Sequence, residues 1–123
     1  MKKRTIALIA ILAALLTACT GKTDYNTTLV QADSLMASRP DSALHMLQGI
    51  STKNLSTKAD RAYHALLLTQ ARDKNYIRQT DDSLIQVAVR YYDTHEDAPL
   101  QARAYYYWGS LYTVSYTHLT LPT

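Results

Sequence analysis

Lys58-Ala-Asp-Arg-Ala-Tyr63 returns forty-two residues later as Leu100-Gln-Ala-Arg-Ala-Tyr105, and each copy opens a long helical pattern. Asp41-Ser42 returns in the same way as Asp82-Ser83, forty-one residues on. A period near forty is the mark of a helical solenoid, in which each unit buries its apolar faces by stacking on its neighbours. The expected fold is therefore all-α: antiparallel helix hairpins in a row, about two and a half repeats.

The first copy sits in the middle helix. Thr57-Lys-Ala-Asp60 resembles a capping box, and the helix it starts runs to about Arg72. Ala62, Tyr63, Ala65, Leu66, Leu67 and Leu68 cover more than one face of it, the pattern of a helix packed on both sides.

Upstream, 28–38 places Leu29, Ala32 and Met36 on one helical stripe with Leu35 beside it. Pro40 suits the first turn of a second helix, where its missing N–H would lack a partner in any case, and Asp41 favours the dipole there. Ala43, Leu44 and Leu47 carry this helix with Met46 alongside, and Gly49 is expected to stop it in a left-handed conformation. Residues 51–56 are polar, without period, and read as a loop.

Downstream, Thr80 is expected to cap a fourth helix with Asp81 and Asp82 in its first turn. Ile85, Ala88, Val89 and Tyr92 form its stripe, widened by Leu84, Val87 and Tyr91. Pro99 opens a fifth helix over about 100–113, with Tyr105, Trp108 and Tyr112 predicted to share one face.

Tyr105-x-x-Trp108-Gly109-x-x-Tyr112 resembles the first helix of a tetratricopeptide repeat, in which large residues are followed by Gly and then Tyr. The resemblance covers about 28–113. It is degenerate in the earlier unit, where Leu67 stands for the glycine and Gln70 for the tyrosine. It implies that the glycine lets a paired helix approach closely while the aromatics fill the gap between hairpins.

The N-terminus reads separately. Lys2-Lys3-Arg4 precedes an apolar run over 6–16 and then Leu16-Thr17-Ala18-Cys19, the order of a secretory signal. The run is shorter than the roughly 20 residues of a bilayer span. Leu16-Thr17-Ala18-Cys19 resembles the lipobox of bacterial lipoproteins, which implies a signal peptide over 1–18, acylation at Cys19 and a tether over 19–27. With a single cysteine, a disulfide within the chain is excluded.

Lipobox, Pro-Asp-Ser-Ala-Leu and Ala-Arg-Ala-Tyr-Tyr-Tyr together look like tetratricopeptide lipoproteins of Gram-negative bacteria, some of which continue into signalling modules. Residues 114–123 carry no charge and no helical period, and resemble a translated sequencing-library adaptor, so this tail is expected to be non-native. The repeat domain is accordingly placed at 28–113.

Charge and motif narrow the function classes. Lys2, Lys3 and Arg4 supply the whole excess of 13 basic over 10 acidic residues, so the chain beyond the signal is neutral. The basic balance belongs to targeting and gives no support to nucleic-acid binding. His45, His64, His95 and His118 form no i, i+4 pair and have no cysteine partner, so no metal is expected, and no cofactor loop is present. Asp41-Ser42…His45 falls at a helix start, where capping accounts for the first two, and catalysis is not expected.

Recognition is left to aromatic and basic side chains. Successive helical residues point about 100° apart, so Tyr105 and Trp108 are expected to serve the core while Tyr106 and Tyr107 are candidates for a ligand groove. Arg61 and Arg103, equivalent in the repeat, join them as candidates. The expected function is a non-catalytic protein or peptide binder, anchored to the membrane by its N-terminal lipid and facing the periplasm or cell surface, on the outer rather than the inner membrane. Two alternatives differ in class. One is the sensory N-terminal region of a longer signalling protein with a kinase or DNA-binding output, the other a glycan-capturing surface lipoprotein.

Overall fold

The structure, a computed structural model, describes residues 23–120. The signal segment, the lipobox and Cys19 lie outside the described residues. Five α-helices follow one another: α1 Thr27–Leu35, α2 Pro40–Gln48, α3 Lys58–Lys74, α4 Ser83–Thr94 and α5 Ala98–Thr120, with a short 3-10 turn at Thr52–Asn54. Each helix packs on the next, and α3 also packs on both α1 and α5. The arrangement is an all-α, repeat-like stack in which α1, α3 and α5 form one row and α2 and α4 the hairpin partners.

The predicted stripes are the core. Leu29, Ala32 and Met36 of the first hairpin are buried with Ala43 and Leu47, and α4 buries Ile85, Ala88, Val89 and Tyr92. Full burial of each Leu or Ile stabilises the fold by about 1.5–3 kcal/mol relative to exposure. Helix α3 is buried on nearly every side, from Ala59 to Ala71, with Arg61 left exposed. It is the central helix its composition predicts.

Its ends are well specified. The Thr57 hydroxyl accepts from the amide of Asp60 at 3.1 Å, which satisfies an otherwise unpaired N–H of the first turn. The Asp60 carboxylate does not complete a capping box but accepts from the backbone N–H of Asn26 at 2.9 Å. At the C-terminus, Ile77 N–H donates to Arg72 O and Tyr76 N–H to Asp73 O, the Schellman pattern. Tyr76 takes the left-handed position with φ 59°, where glycine is usual.

Several expectations are corrected. Gly49 has φ −75°, not a left-handed value. The chain leaves α2 through an ordinary right-handed turn, with Ile50 N–H donating to Leu47 O, so no glycine is required. Thr80 does not cap α4. Asp82 stands at the N-cap without a side-chain cap bond, Asp81 just before it accepts from both the amide and the hydroxyl of Ser83 at 2.8 and 2.6 Å, and both acids precede the helix instead of lying in its first turn.

Two polar stretches also hide anchors. Leu55, in the loop over 51–56, is fully buried. Tyr25, in the expected tether, packs on Tyr63 at 4.4 Å between ring centroids.

The largest difference is in α5. Its buried face is formed by Ala104 and Tyr107, with Leu100, Trp108 and Leu111 partly buried against the core. Tyr105 and Tyr112 are exposed. The helix is rotated so that its small residue, Ala104, meets its neighbours, while the phenols of Tyr105 and Tyr112 reach carboxylates of the hairpin, Asp93 and Asp82. Backbone residues 114–120 continue α5. A helix already nucleated extends cheaply, one hydrogen bond per residue, so the Thr and Val content there does not impose a strand.

Candidate functional site

The row formed by α1, α3 and α5 brings together side chains that are far apart in sequence. Asp33 stands on α1 one position from the buried Ala32, and Arg103 stands on α5 one position from the buried Ala104. Arg103 Nη1 meets Asp33 Oδ1 at 2.9 Å, with 32% of the arginine and 24% of the aspartate side chain still exposed. The Tyr63 hydroxyl of α3 donates to Asp33 Oδ2. One carboxylate thus takes a cation from α5 and a phenol from α3, tying all three helices of the row together.

Tyr25 closes one side of this cluster. Its ring lies on that of Tyr63, and its hydroxyl is 3.2 Å from the hydroxyl of Tyr92 on α4. Asn26 follows it, capping α1 by accepting from the amide of Thr28 at 2.9 Å. The entry to the first helix is therefore fixed to α3 at two points, one aromatic and one through Asp60.

The phenols here are held protonated. Burial pushes the Tyr63 hydroxyl well above its ordinary value of 10, and the Asp33 carboxylate that accepts its hydrogen bond adds to the effect. Burial likewise raises Tyr92, Tyr25 and Tyr107, with Asp73 contributing to the last. A phenol in such surroundings donates a hydrogen bond and resists ionisation. The cluster supplies shape, hydrogen-bond donors and a partly exposed ion pair.

The four predicted recognition residues separate. Arg103 joins the cluster just described. Tyr107 is 8% exposed; it belongs to the core and is not offered to a groove. Tyr106 is 67% exposed and meets Tyr107 edge-to-face at 4.9 Å. Arg61 lies away from the row, its Nε donating to Leu55 O at 3.0 Å and its Nη2 to Ser56 O at 3.4 Å, so it holds the loop before α3. The Arg equivalence in the repeat does not carry over into equivalent contacts.

Asp33, Tyr63 and Tyr25 are site residues that sequence reading passed over. The available signals were an acid one position off the α1 stripe and a lone aromatic just before the Asn cap. Elsewhere, His64 is buried with Nε2 3.1 Å from Leu47 O, and His95 stacks on Tyr91 at 3.9 Å. Among the described residues, no group of three His, Cys, Asp or Glu side chains is placed to hold a metal ion, and no helix is long and apolar enough to cross a membrane. No family model, curated protein or solved structure matches this chain.

Proposed function

We propose that this chain is a lipid-anchored, periplasm-facing helical-repeat module of the tetratricopeptide type that binds a protein or peptide along the α1, α3 and α5 row and has no catalysis of its own. The observation that carries this reading is the Asp33–Arg103 pair. It joins the first and fifth helices and leaves part of both charges open to a partner. Tyr106, exposed on α5, supplies an aromatic contact of the kind that dominates protein interfaces. Attachment at Cys19 follows from the lipobox-like Leu16-Thr17-Ala18-Cys19.

A photo-crosslinking amino acid placed at position 106 in cells tests the binding face. A discrete protein adduct is expected there, lost when Arg103→Ala is added, and absent when the crosslinker is at position 30 on the exposed side of α1. Adducts of the same pattern from both positions would overturn the assignment of the face. Anchoring is tested by fractionation: Cys19→Ala should leave the membrane fraction, and a variant that stays there removes the lipid from the proposal.

A further inference from the structure

A second surface lies between the start of α3 and the end of α4. A cleft of about 310 Å³ opens there, lined by Lys58 and Arg61 from α3 and by Val87, Arg90, Tyr91 and His95 on α4 and just beyond it. Arg61 and Tyr63 are two positions apart, so their side chains leave α3 about 200° apart, and the cleft is turned away from the Asp33 cluster.

The charge in this cleft is one-sided, since none of its lining residues is acidic. Among the described residues, ion pairs join Arg39 to Asp41 and Arg103 to Asp33, and the three cleft cations take part in neither. Three such cations at one cleft form a local positive field.

The two arginines are also positioned. Arg61 is fixed by the two loop carbonyls it donates to, which together occupy one edge of its guanidinium. Arg90 donates through Nη2 to Gln86 Oε1 at 2.9 Å, and Gln86 in turn donates to Asp82 at 2.8 Å, so a chain of side chains one helical turn apart steadies the guanidinium along α4. A guanidinium has five N–H donors in a planar fork, and one hydrogen bond leaves most of Arg90's available.

Beside the cations the wall is apolar and flat. Tyr91 and His95 stack almost parallel, 11° apart, and Val87 is nearly half exposed next to them. The His95 ring is held in place by its Nδ1, 2.8 Å from Tyr91 O. Cations around an aromatic and aliphatic floor match a carboxylate carried next to an apolar side chain.

We infer that this cleft docks an acidic peptide segment, a carboxylate of the partner meeting Lys58, Arg61 and Arg90 while a neighbouring aliphatic or aromatic side chain lies on Val87 and the Tyr91–His95 stack. The site stands apart from the α1, α3 and α5 face and does not rest on it. It gives the module a charge-selective second contact, in which opposite potentials set orientation and association rate.

The test uses a fluorescein-labelled peptide of alternating Glu and Leu, with a Gln and Leu peptide as control, measured by fluorescence anisotropy against the full chain. The acidic peptide should bind at least tenfold more tightly than its control, and rising salt should weaken it, as expected of exposed charges. Lys58→Gln with Arg90→Gln should weaken binding at least tenfold, and Val87→Asp should do the same by placing a like charge in the cleft. All three positions are exposed, and unchanged far-UV circular dichroism would show that the fold is kept.

Arg103→Gln should leave this binding as it is, which separates failure here from failure of the other face. Equal binding of the two peptides, or no effect of the double variant, overturns the inference. So does capture of phosphatidylglycerol vesicles that is lost in the double variant while the peptide stays unbound, which would make the cleft a lipid contact.

Discussion

Residues 58–63 and 100–105 share Arg-Ala-Tyr at equivalent positions opening α3 and α5, yet their side chains meet different ends. Ala62 and Ala104 are both fully buried, so the register of each helix against its neighbours is repeated. On one side of that alanine, Arg61 holds a loop while Arg103 crosses to Asp33. On the other, Tyr63 is 6% exposed and Tyr105 is 42% exposed. Further along, Leu66 and Leu67 are fully buried, whereas their counterparts are Trp108, partly buried, and Gly109, whose missing Cβ would meet nothing within 4 Å. Repetition sets the register, and the number of packed neighbours sets the burial. Helix α3 has neighbours on both sides of the row and α5 on one.

The strongest test of that contrast removes bulk from the well-packed copy. Leu67→Ala should destabilise by about 2–5 kcal/mol, the cost of lost burial plus an incompletely collapsed cavity, measured by urea denaturation. A loss below about 1 kcal/mol would mean that α3 is not enclosed as described.

The hydroxyls of the two tyrosines give a smaller and sharper comparison. Tyr63→Phe removes a donor to Asp33 inside the α1, α3 and α5 cluster and should cost about 1 kcal/mol, a typical net hydrogen bond. Tyr105→Phe removes an exposed bond to Asp93 and should fall within about 0.5 kcal/mol of the parent. Equal effects would remove the distinction between the copies.

Glycine 109 offers an effect of opposite sign. With open space beside it and a helical backbone, Gly109→Ala should stabilise by about 0.5–1 kcal/mol, because alanine loses less backbone entropy in a helix. The resemblance to a tetratricopeptide repeat assigns this glycine to a close approach by a partner helix. If such a helix packs there in the protein as it works, the same substitution should weaken that contact, so the sign of the effect reports whether the face is covered.

Much of this fold was legible because amphipathic helices repeat their apolar residues every three or four positions. The stripes through Leu29, Ala32 and Met36 and through Ile85, Ala88, Val89 and Tyr92 are buried as their spacing predicts. Leu55 and Tyr25 were not legible, since a single apolar residue in a polar stretch has no period to betray it. On α5, Tyr105-Tyr-Tyr-Trp108 is aromatic all the way round, so the pattern could not say which rings face inward; Tyr107 is buried and Trp108 partly so. Thr80-Asp-Asp-Ser83 offers four possible caps in a row, and only the observed geometry places Asp82 at the N-cap with Asp81 bonded to Ser83. The Asp33–Arg103 pair spans seventy positions, a separation at which no local rule operates.

The exposed copy should also respond to acid in a way the buried one does not. Asp82 Oδ2 accepts from Gln86, from the Trp108 indole at 2.8 Å and from the Tyr112 hydroxyl at 2.7 Å. These bonds favour the carboxylate and lower its pKa from 3.8 to about 2. A depressed folded-state pKa means that the unfolded chain binds the proton first as pH falls. The stabilisation from Asp82 is therefore complete above about pH 4 and is lost as pH drops from there toward 2. The side chains at the equivalent positions of α3, Leu66 and Gln70, are buried and carry no such bonds to a carboxylate. Trp108 is the only tryptophan in the chain, so its fluorescence reports this contact directly. An emission change with a midpoint near pH 2 is expected in the parent and absent in Asp82→Asn. A midpoint near 3.8 would show that the indole and phenol do not hold the carboxylate, and that α5 is joined to the start of α4 by packing alone.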